Sequence, residues 1–301
     1  MIQSFEQIKE ELKKYPQKRR IGVVAAQDEH TLDAVLLAAS DGLVEPVLLG
    51  VKEEIKAVAA QLGQSVDGME IIDIASPEDC AKEAAQLVRQ DRLDCVMKGK
   101  IETGTLMKVL VNRDYGIRRS DTMSLVAFIE SPYYHKLFAI TDSALLTYPT
   151  LEQKRDAINN AVGAFHKLGQ PEPRVGVLAA IEKVNPKMPE SVEAGQLKEM
   201  WQTGEIPGCI VEGPISYDLA MDPESARIKG FDSPVAGDAD ILVVPDLVSG
   251  NTLTKSLLFT GGAKGAGAIV GAMVPLVLTS RATSMEDKYI SILLNALIGK
   301  I

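Results

Sequence analysis

Cysteine is scarce: Cys80, Cys95 and Cys209 are the only three in 301 residues, an odd number without paired spacing. That excludes a disulfide scaffold and predicts reduced thiols. Histidine is as sparse. His30, His135 and His166 stand apart, so no cluster has metal-ligand spacing and no metal is expected. Positive charge is in deficit, 32 Lys and Arg against 41 Asp and Glu, for a net charge of −9. A nucleic-acid backbone or anionic membrane is repelled over most of such a surface, so neither is an expected partner, and an anionic substrate has to be captured locally. Long apolar runs are missing too. The longest, 265–279, is interrupted by Pro275 and falls short of the ~20 residues of a bilayer crossing. Residues 1–15 set Phe5, Ile8 and Leu12 at helical spacing among Glu and Lys, unlike the basic-then-apolar order of a signal peptide. A cytoplasmic protein is expected, and there is no internal repeat or low-complexity tract.

What is present is an ordinary globular composition, 46% hydrophobic and 24% charged, in a chain long enough for two domains. Short β-branched runs at 21–26, 46–49, 70–74, 93–97, 124–129, 138–141, 175–179, 209–211, 241–244 and 275–279 read as strands. Between them, 29–39, 51–62, 77–89, 151–168, 189–201 and 284–298 read as helices. Strands apolar on both faces and alternating with helices predict an α/β protein with mostly parallel, doubly wound sheets. A break at 139–150, where Pro149 and Thr150 precede a long helix, and a return of the chain near its end divide it into 1–140 plus 262–301 and 141–261.

In open α/β sheets ligands bind beyond the carboxyl ends of the strands. Those ends read Gln27-Asp28, Lys98-Gly99-Lys100, Glu130-Ser131, Asp142-Ser143, Glu212-Gly213-Pro214, Pro245-Asp246 and Ser280-Arg281. Loops are polar in any case, so the agreement among the ends carries more than any one of them. At 275–288 a strand runs into Ser280-Arg281 and then a helix whose buried stripe is read as Met285, Tyr289, Ile292, Leu293, Ala296 and Leu297, with Glu286, Asp287 and Lys288 outside it or at its edge. A guanidinium at a helix N-terminus suits a phosphate. Thr283 with Glu286, or Ser284 with Asp287, also forms a capping box, so either acid has a purely local reading. At 245–255, Asn251 and Lys255 form an anion site, or Asn251 is an N-cap. At 98–105, Gly99, Thr103 and Gly104 allow close backbone approach among lysines and hydroxyls, without the order of a Walker loop. The glycines of 261–271 miss the dinucleotide fingerprint and are read as helix packing. Arg118-Arg119 reads as a solvated pair or an anion contact.

Three segments in order, Pro-Asp-x-x-x-Gly-Asn-x-x-x-Lys at 245–255, Glu-Gly-Pro-Ile-Ser-Tyr-Asp-Leu-Ala at 212–220 and Leu-Thr-Ser-Arg-Ala-x-Ser at 278–284, resemble the phosphate acetyl/butyryltransferase family. The similarity extends over nearly the whole chain, and 98–104 is closer to the butyryl branch. The resemblance implies a two-domain α/β fold like that of isocitrate and isopropylmalate dehydrogenases, with an active site in the interdomain cleft, and a homodimer formed through 141–261. It implies short-chain acyl exchange between coenzyme A and phosphate, with coenzyme A a substrate and no permanently bound cofactor. Ser280 and Arg281 are then at the reacting centre, and Gly99, Thr103, Gly104, Asn251 and Lys255 hold phosphate or acyl phosphate. Arg118 and Arg119 bind coenzyme A, and Asp287 or Glu286 is the base. Direct attack in a ternary complex is favoured because no cysteine lies in a motif and Ser280 has no histidine nearby in sequence, although folding could bring His135 to it. Three rivals remain. An acyl-carrier-protein-dependent phosphate acyltransferase needs a basic face. A metal-dependent hydroxyacid dehydrogenase of the same fold needs clustered acids, for which Asp218, Asp222, Asp238 and Asp240 are available. A non-catalytic phosphate- or CoA-binding regulator would bind without turnover.

Overall fold

The structure, a computed structural model, describes residues 1–279 and 283–299. Two compact units are present, Phe5–Asp121 with Ala266–Ile301, and Met1–Ser4 with Thr122–Gly265. We call them the first and second unit.

The first unit opens with helix α1 (Phe5–Lys13) and alternates β1 (Arg19–Val24), α2 (Glu29–Ser40), β2 (Val44–Gly50), α3 (Lys52–Gln61), β3 (Glu70–Asp73), α4 (Pro77–Arg89), β4 (Cys95–Lys98) and α5 (Thr103–Leu110). The second unit comprises β5 (Ser124–Glu130), β6 (Phe138–Thr141), α6 (Leu151–Lys167), β7 (Arg174–Leu178), α7 (Pro189–Gln202), β8 (Ile210–Ile215), α8 (Tyr217–Met221), α9 (Pro223–Lys229), β9 (Ile241–Val243) and α10 (Leu247–Phe259). The chain then returns through β10 (Lys264–Val270) and β11 (Leu276–Val277) to α11 (Met285–Ile298).

In the first unit the strand order is β3-β2-β1-β4-β11-β10, parallel except for the β10–β11 pair. The second unit runs β5-β6-β9-β7-β8, parallel except for the β5–β6 pair. The expected mostly parallel α/β fold is therefore present. Its reason is visible in burial: β1 keeps Ile21, Val23 and Val24 fully buried, and β2 keeps Val47, Leu48 and Leu49 so, because helices cover both faces. In the second unit Phe138, Ile140, Leu242 and Ile215 meet in one core, against which Leu219 of α8 packs.

Several segments differ from the sequence-based expectation. The division at 140/141 falls inside β6. β5 and β6 form an antiparallel pair, and β6 then aligns along β9, so both belong to the second unit. The glycines of 264–270 lie in a strand rather than a packed helix. There the Gly267 N–H donates to Ser291 Oγ (3.2 Å), and Asn295 Nδ2 donates to the Gly267 carbonyl (2.8 Å), so two buried polar side chains of α11 are matched to that strand. Glu212-Gly213-Pro214 continues β8 to Ile215 instead of ending it. In α11 burial is not a stripe: every residue from Ile290 to Ile298 is buried, while Met285 is exposed and Lys288 is buried. Among the described residues no helix is long and apolar enough to cross a membrane.

A charged cluster at the amino-terminal ends of β7 and β9 holds the second unit together. Lys136, 7% exposed, donates to Asp240 Oδ1 (2.7 Å) and to Asp238 (2.8 Å to Oδ1), and Arg174 also pairs with Asp238. Asp240 is 2% exposed, so losing the lysine strands a buried carboxylate. Lys136→Met is expected to cost about 3 kcal/mol of unfolding free energy, read from the urea midpoint. An unchanged midpoint would remove the cluster from the account of stability.

Candidate active site

In the first unit the order β3-β2-β1-β4 reverses direction at β1. From β1 the chain winds outward to β2 and β3 and returns on the other side as β4. The crevice at such a switch point is where open α/β sheets bind ligands. A pocket of about 830 Å³ lies there, lined by Gln27, Asp28 and His30 after β1, Lys98, Gly99, Lys100 and Thr105 after β4, Ser76 and Glu78 at α4, and Thr279 and Lys288.

The turn after β4 is shaped by Gly99. Its N–H donates to the Val24 carbonyl (2.9 Å) and the Lys100 N–H to the Ala25 carbonyl (2.8 Å). A Cβ at Gly99 would stand 2.3 Å from the Ala25 oxygen and 2.7 Å from the Val24 oxygen, both backbone atoms, so no other residue fits. Ala25 itself has a φ of 55°, in the left-handed region that non-glycine residues seldom occupy. Lys98 and Lys100 flank this turn, with Lys98 Nζ on the Gly99 carbonyl (3.2 Å).

The N-termini of α2, α4 and α5 are among those that line the pocket, and they are not equivalent. Asp28 caps α2 by accepting the Thr31 N–H (2.9 Å), and Ser76 caps α4 by accepting the Asp79 N–H (3.3 Å). α5 begins at Thr103 after Glu102 with no side-chain cap bond. Its first N–H groups are therefore the ones open to a substrate anion. Burial pushes the Asp28 carboxyl up, but the hydrogen bonds from Thr31, with His30 and Lys98 nearby, outweigh it and hold the group below its ordinary value. Asp28 is thus an anion already spent on α2.

Of the residues predicted from sequence, Gly99 lies in this pocket, while Thr103 and Gly104 form the exposed first turn of α5 beside it. Ser280 and Arg281 lie outside the described residues. At the head of α11 Ser284 is the N-cap and pairs with Asp287: the Ser284 hydroxyl donates to Asp287 Oδ2 (2.7 Å) and accepts the Asp287 N–H (3.0 Å). Glu286 is exposed on the same turn. Arg118 meets Asp121 (3.4 Å), and the backbone of Arg119 donates to the Gly271 carbonyl (3.1 Å) while its side chain is exposed.

In the second unit the 245–255 motif divides into architectural duties. Asp246, not Asn251, caps α10, accepting the Ser249 N–H (2.8 Å), a bond that holds its carboxyl below the ordinary value. Gly250 packs so closely that a Cβ would come within 2.8 Å of the Asp142 carbonyl oxygen. Asn251, inside the helix, donates to the Ser143 carbonyl (3.2 Å), and Lys255 is exposed one turn on. The four acids of the dehydrogenase reading do not converge. Asp218 pairs with Lys229 (3.0 Å), Asp222 caps α9, and Asp238 and Asp240 serve the Lys136 cluster. His135 is likewise bound to Asp238 (2.9 Å).

The sequence places this chain among known proteins. The phosphate acetyl/butaryl transferase family matches residues 3–87 and 76–296. The chain belongs to that family. A phosphate acetyltransferase of Thermotoga maritima is 44% identical over 281 residues, 93% of this chain and 95% of the relative. A phosphate butyryltransferase of Clostridium acetobutylicum is 39% identical over 299 residues, 99% of both. The crystal structure of a branched-chain phosphotransacylase from Enterococcus faecalis V583 superposes with a TM-score of 0.81 at 31% identity, covering 93% of this chain and 99% of that one. As a member of the phosphate acetyl/butaryl transferase family the chain is an acyltransferase acting on an acyl-CoA and phosphate.

Among the pocket residues not singled out from sequence as site candidates are Thr279 and Lys288. Thr279 is the last described residue before Ser280 at the end of a strand, and its position was available from the strand-end rule. Lys288 had a weaker signal: it lies four residues before Ile292 and seven before Asn295, on the face that α11 buries. For this acyltransferase, Gly99→Ala is expected to lower stability by roughly 1–3 kcal/mol through the clash with Ala25 and Val24. Displacing the turn is expected to slow phosphate-dependent thiol release by about tenfold or more. Wild-type turnover from this variant would show that the turn is not part of the site.

Proposed function

We propose that this acyltransferase moves a short butyryl or branched-chain acyl group reversibly between coenzyme A and inorganic phosphate, by direct attack within a ternary complex. The observation that carries the reading is the switch-point pocket: an uncapped helix N-terminus, a glycine turn and Lys98, Lys100 and Lys288 concentrated in one place on a chain of net charge −9. That is the local capture of an anion which the overall charge demands. The near full-length correspondence with a phosphate butyryltransferase and the likeness to a branched-chain phosphotransacylase support the acyl class.

In the reaction a phosphate oxygen forms a bond to the thioester carbonyl carbon, the carbonyl becomes a tetrahedral oxyanion, and the carbon–sulfur bond then breaks. We assign Arg281 and the Ser280 hydroxyl to that oxyanion, since a guanidinium stays cationic at any working pH. One carboxylate suffices to take the proton from the attacking hydrogen phosphate and pass it to the departing sulfur, whose free-thiol pKa is about 8.5. Asp287 exchanges hydrogen bonds with Ser284 at the cap of α11 and Glu286 is the exposed carboxylate of the same turn; we assign the proton transfer to Glu286. Gly99, Thr103 and Gly104 are assigned to phosphate or acyl phosphate, and Arg118 and Arg119 to the phosphates of coenzyme A. A covalent route through cysteine has no support: all three thiols are buried, and burial pushes that of Cys209 up to about 12. The enzyme is proposed to work as a cytoplasmic homodimer joined through the second unit, which sedimentation velocity at micromolar concentration checks. A purely monomeric boundary would refute it.

Arg281→Ala is expected to lower kcat about a hundredfold or more, as loss of an oxyanion donor does, and full turnover would remove it from the centre. Glu286→Gln is expected to lose turnover at an unchanged melting temperature, whereas Asp287→Asn loses about 1 kcal/mol of stability as a weakened cap. The reverse pattern would make Asp287 the base. Thiol release from acetyl-, butyryl-, isobutyryl- and isovaleryl-CoA, with and without phosphate, is expected to be phosphate-dependent and fastest with a four- or five-carbon acyl group. Fastest release from acetyl-CoA would overturn the acyl class.

A further inference from the structure

Three lysines line the switch-point pocket, and their side chains are held differently. Lys98 donates to the Gly99 carbonyl (3.2 Å) and lies near Asp28. Lys288 is 4% exposed and donates to the Thr283 carbonyl (2.6 Å). Lys100 is exposed, and among the described residues no hydrogen bond or ion pair engages its amino group. Its backbone is nonetheless fixed, because the Lys100 N–H donates to the Ala25 carbonyl in the Gly99 turn (2.8 Å). One lysine of the pocket thus combines an anchored Cα with an uncommitted amine.

Acyl transfer from an acyl-CoA to phosphate makes an acyl phosphate, a mixed anhydride whose carbonyl carbon is attacked by amines as well as by thiols. In solution that side reaction is slow, since at neutral pH only about one lysine in a thousand is the free amine. Holding the product beside one particular lysine turns a chance encounter into a reaction between neighbours, which raises its rate by orders of magnitude. The lining also holds Asp28, Glu29, Glu78 and Glu102. A carboxylate that takes the acyl group gives only another mixed anhydride, which water hydrolyses, whereas an amine gives an amide that lasts.

We propose that Lys100 is a self-acylation site, modified by the enzyme's own acyl phosphate product, and that its acylation slows phosphate-dependent acyl transfer. The amine nitrogen bonds to the acyl carbon, and the bond from that carbon to the phosphate oxygen breaks. Phosphate leaves with the electron pair and takes the proton that the nitrogen loses. An amide then stands where an ammonium stood, so the pocket loses one positive charge and gains a short apolar chain. The inference rests on the reading of this pocket as the place where acyl phosphate is formed.

The protein is incubated with butyryl-CoA plus phosphate, with butyryl-CoA alone, or with butyryl phosphate alone, and butyryl-lysines are quantified by peptide mass spectrometry. Lys183 and Lys187, exposed and outside this pocket's lining, meet the same free acyl phosphate and serve as controls within the chain. Lys100 is expected to be modified about tenfold or more above these two wherever acyl phosphate is present. With butyryl-CoA alone it is expected to match them, and Lys98 and Lys288 are expected to match them throughout. No enrichment at Lys100, equal enrichment at Lys98 or Lys288, or enrichment that needs only butyryl-CoA would overturn the proposal. Over the same hours wild-type thiol release is expected to fall in step with Lys100 occupancy, whereas Lys100→Arg, which keeps the charge without the amine, holds its own starting rate. An equal decline in that variant would also overturn it. The reading of the pocket is tested apart from this by Gly99→Ala: turnover at the wild-type rate sinks that reading. If Gly99→Ala is slowed while Lys100 stays unmodified, only self-acylation fails.

Discussion

The closeness of two backbone segments, the Gly99 turn against the carbonyls of Val24 and Ala25, is the constraint from which the pocket follows. Where a Cβ would lie 2.3 Å from a backbone oxygen, only glycine permits the approach, and two N–H···O bonds fix it. The approach joins the ends of β1 and β4 at the point where the sheet reverses its winding. It sets Lys98 and Lys100 on either side and starts α5 at the rim. Ala25, at a φ of 55°, carries a strain of roughly 1 kcal/mol or more at the same edge, which the buried carboxyl-terminal half of β1 before it can bear.

A second theme is the allocation of polar groups. Helix N-termini attract anions whether these come from the chain or from a ligand. In the first unit α2 and α4 use Asp28 and Ser76, and α11 uses Ser284 with Asp287, while α5 uses no side chain. The site is therefore defined as much by which terminus lacks a cap as by which residues are charged. The second unit follows the same logic in reverse. Asp246, Gly250 and Asn251 are committed to the cap of α10 and to its contact with the Asp142–Ser143 turn, so much of a motif that reads as an anion site is architecture.

Much of the fold was legible. Parallel strands buried on both faces appear as continuous apolar runs, and nine of the ten runs read as strands coincide with observed strands for most of their length, the shortest, β11, covering only the middle of its run. The strand that was missed, β10, consists largely of Gly and Ala and carries no β-branched residue until Ile269, so it lacks the signal by which the others announce themselves. Lys136 and Asp240, which are buried, and the half-buried Arg174 and Asp238 were equally hidden. Charges at the amino-terminal strand ends look like solvated loop residues until the hairpin of β5 and β6 brings Lys136 over them.

By itself the sequence determined the α/β class, the alternation of its elements, the family and the set of strand ends at which chemistry was to be sought, because these depend on periodicity and on residue order. Tertiary structure decided which of those ends converge, which polar residues are consumed by caps, and that Lys288 is buried in a pocket instead of solvated at a helix edge. Those outcomes depend on distances between segments remote in the chain, and a linear pattern of residues does not encode such distances separately from the fold.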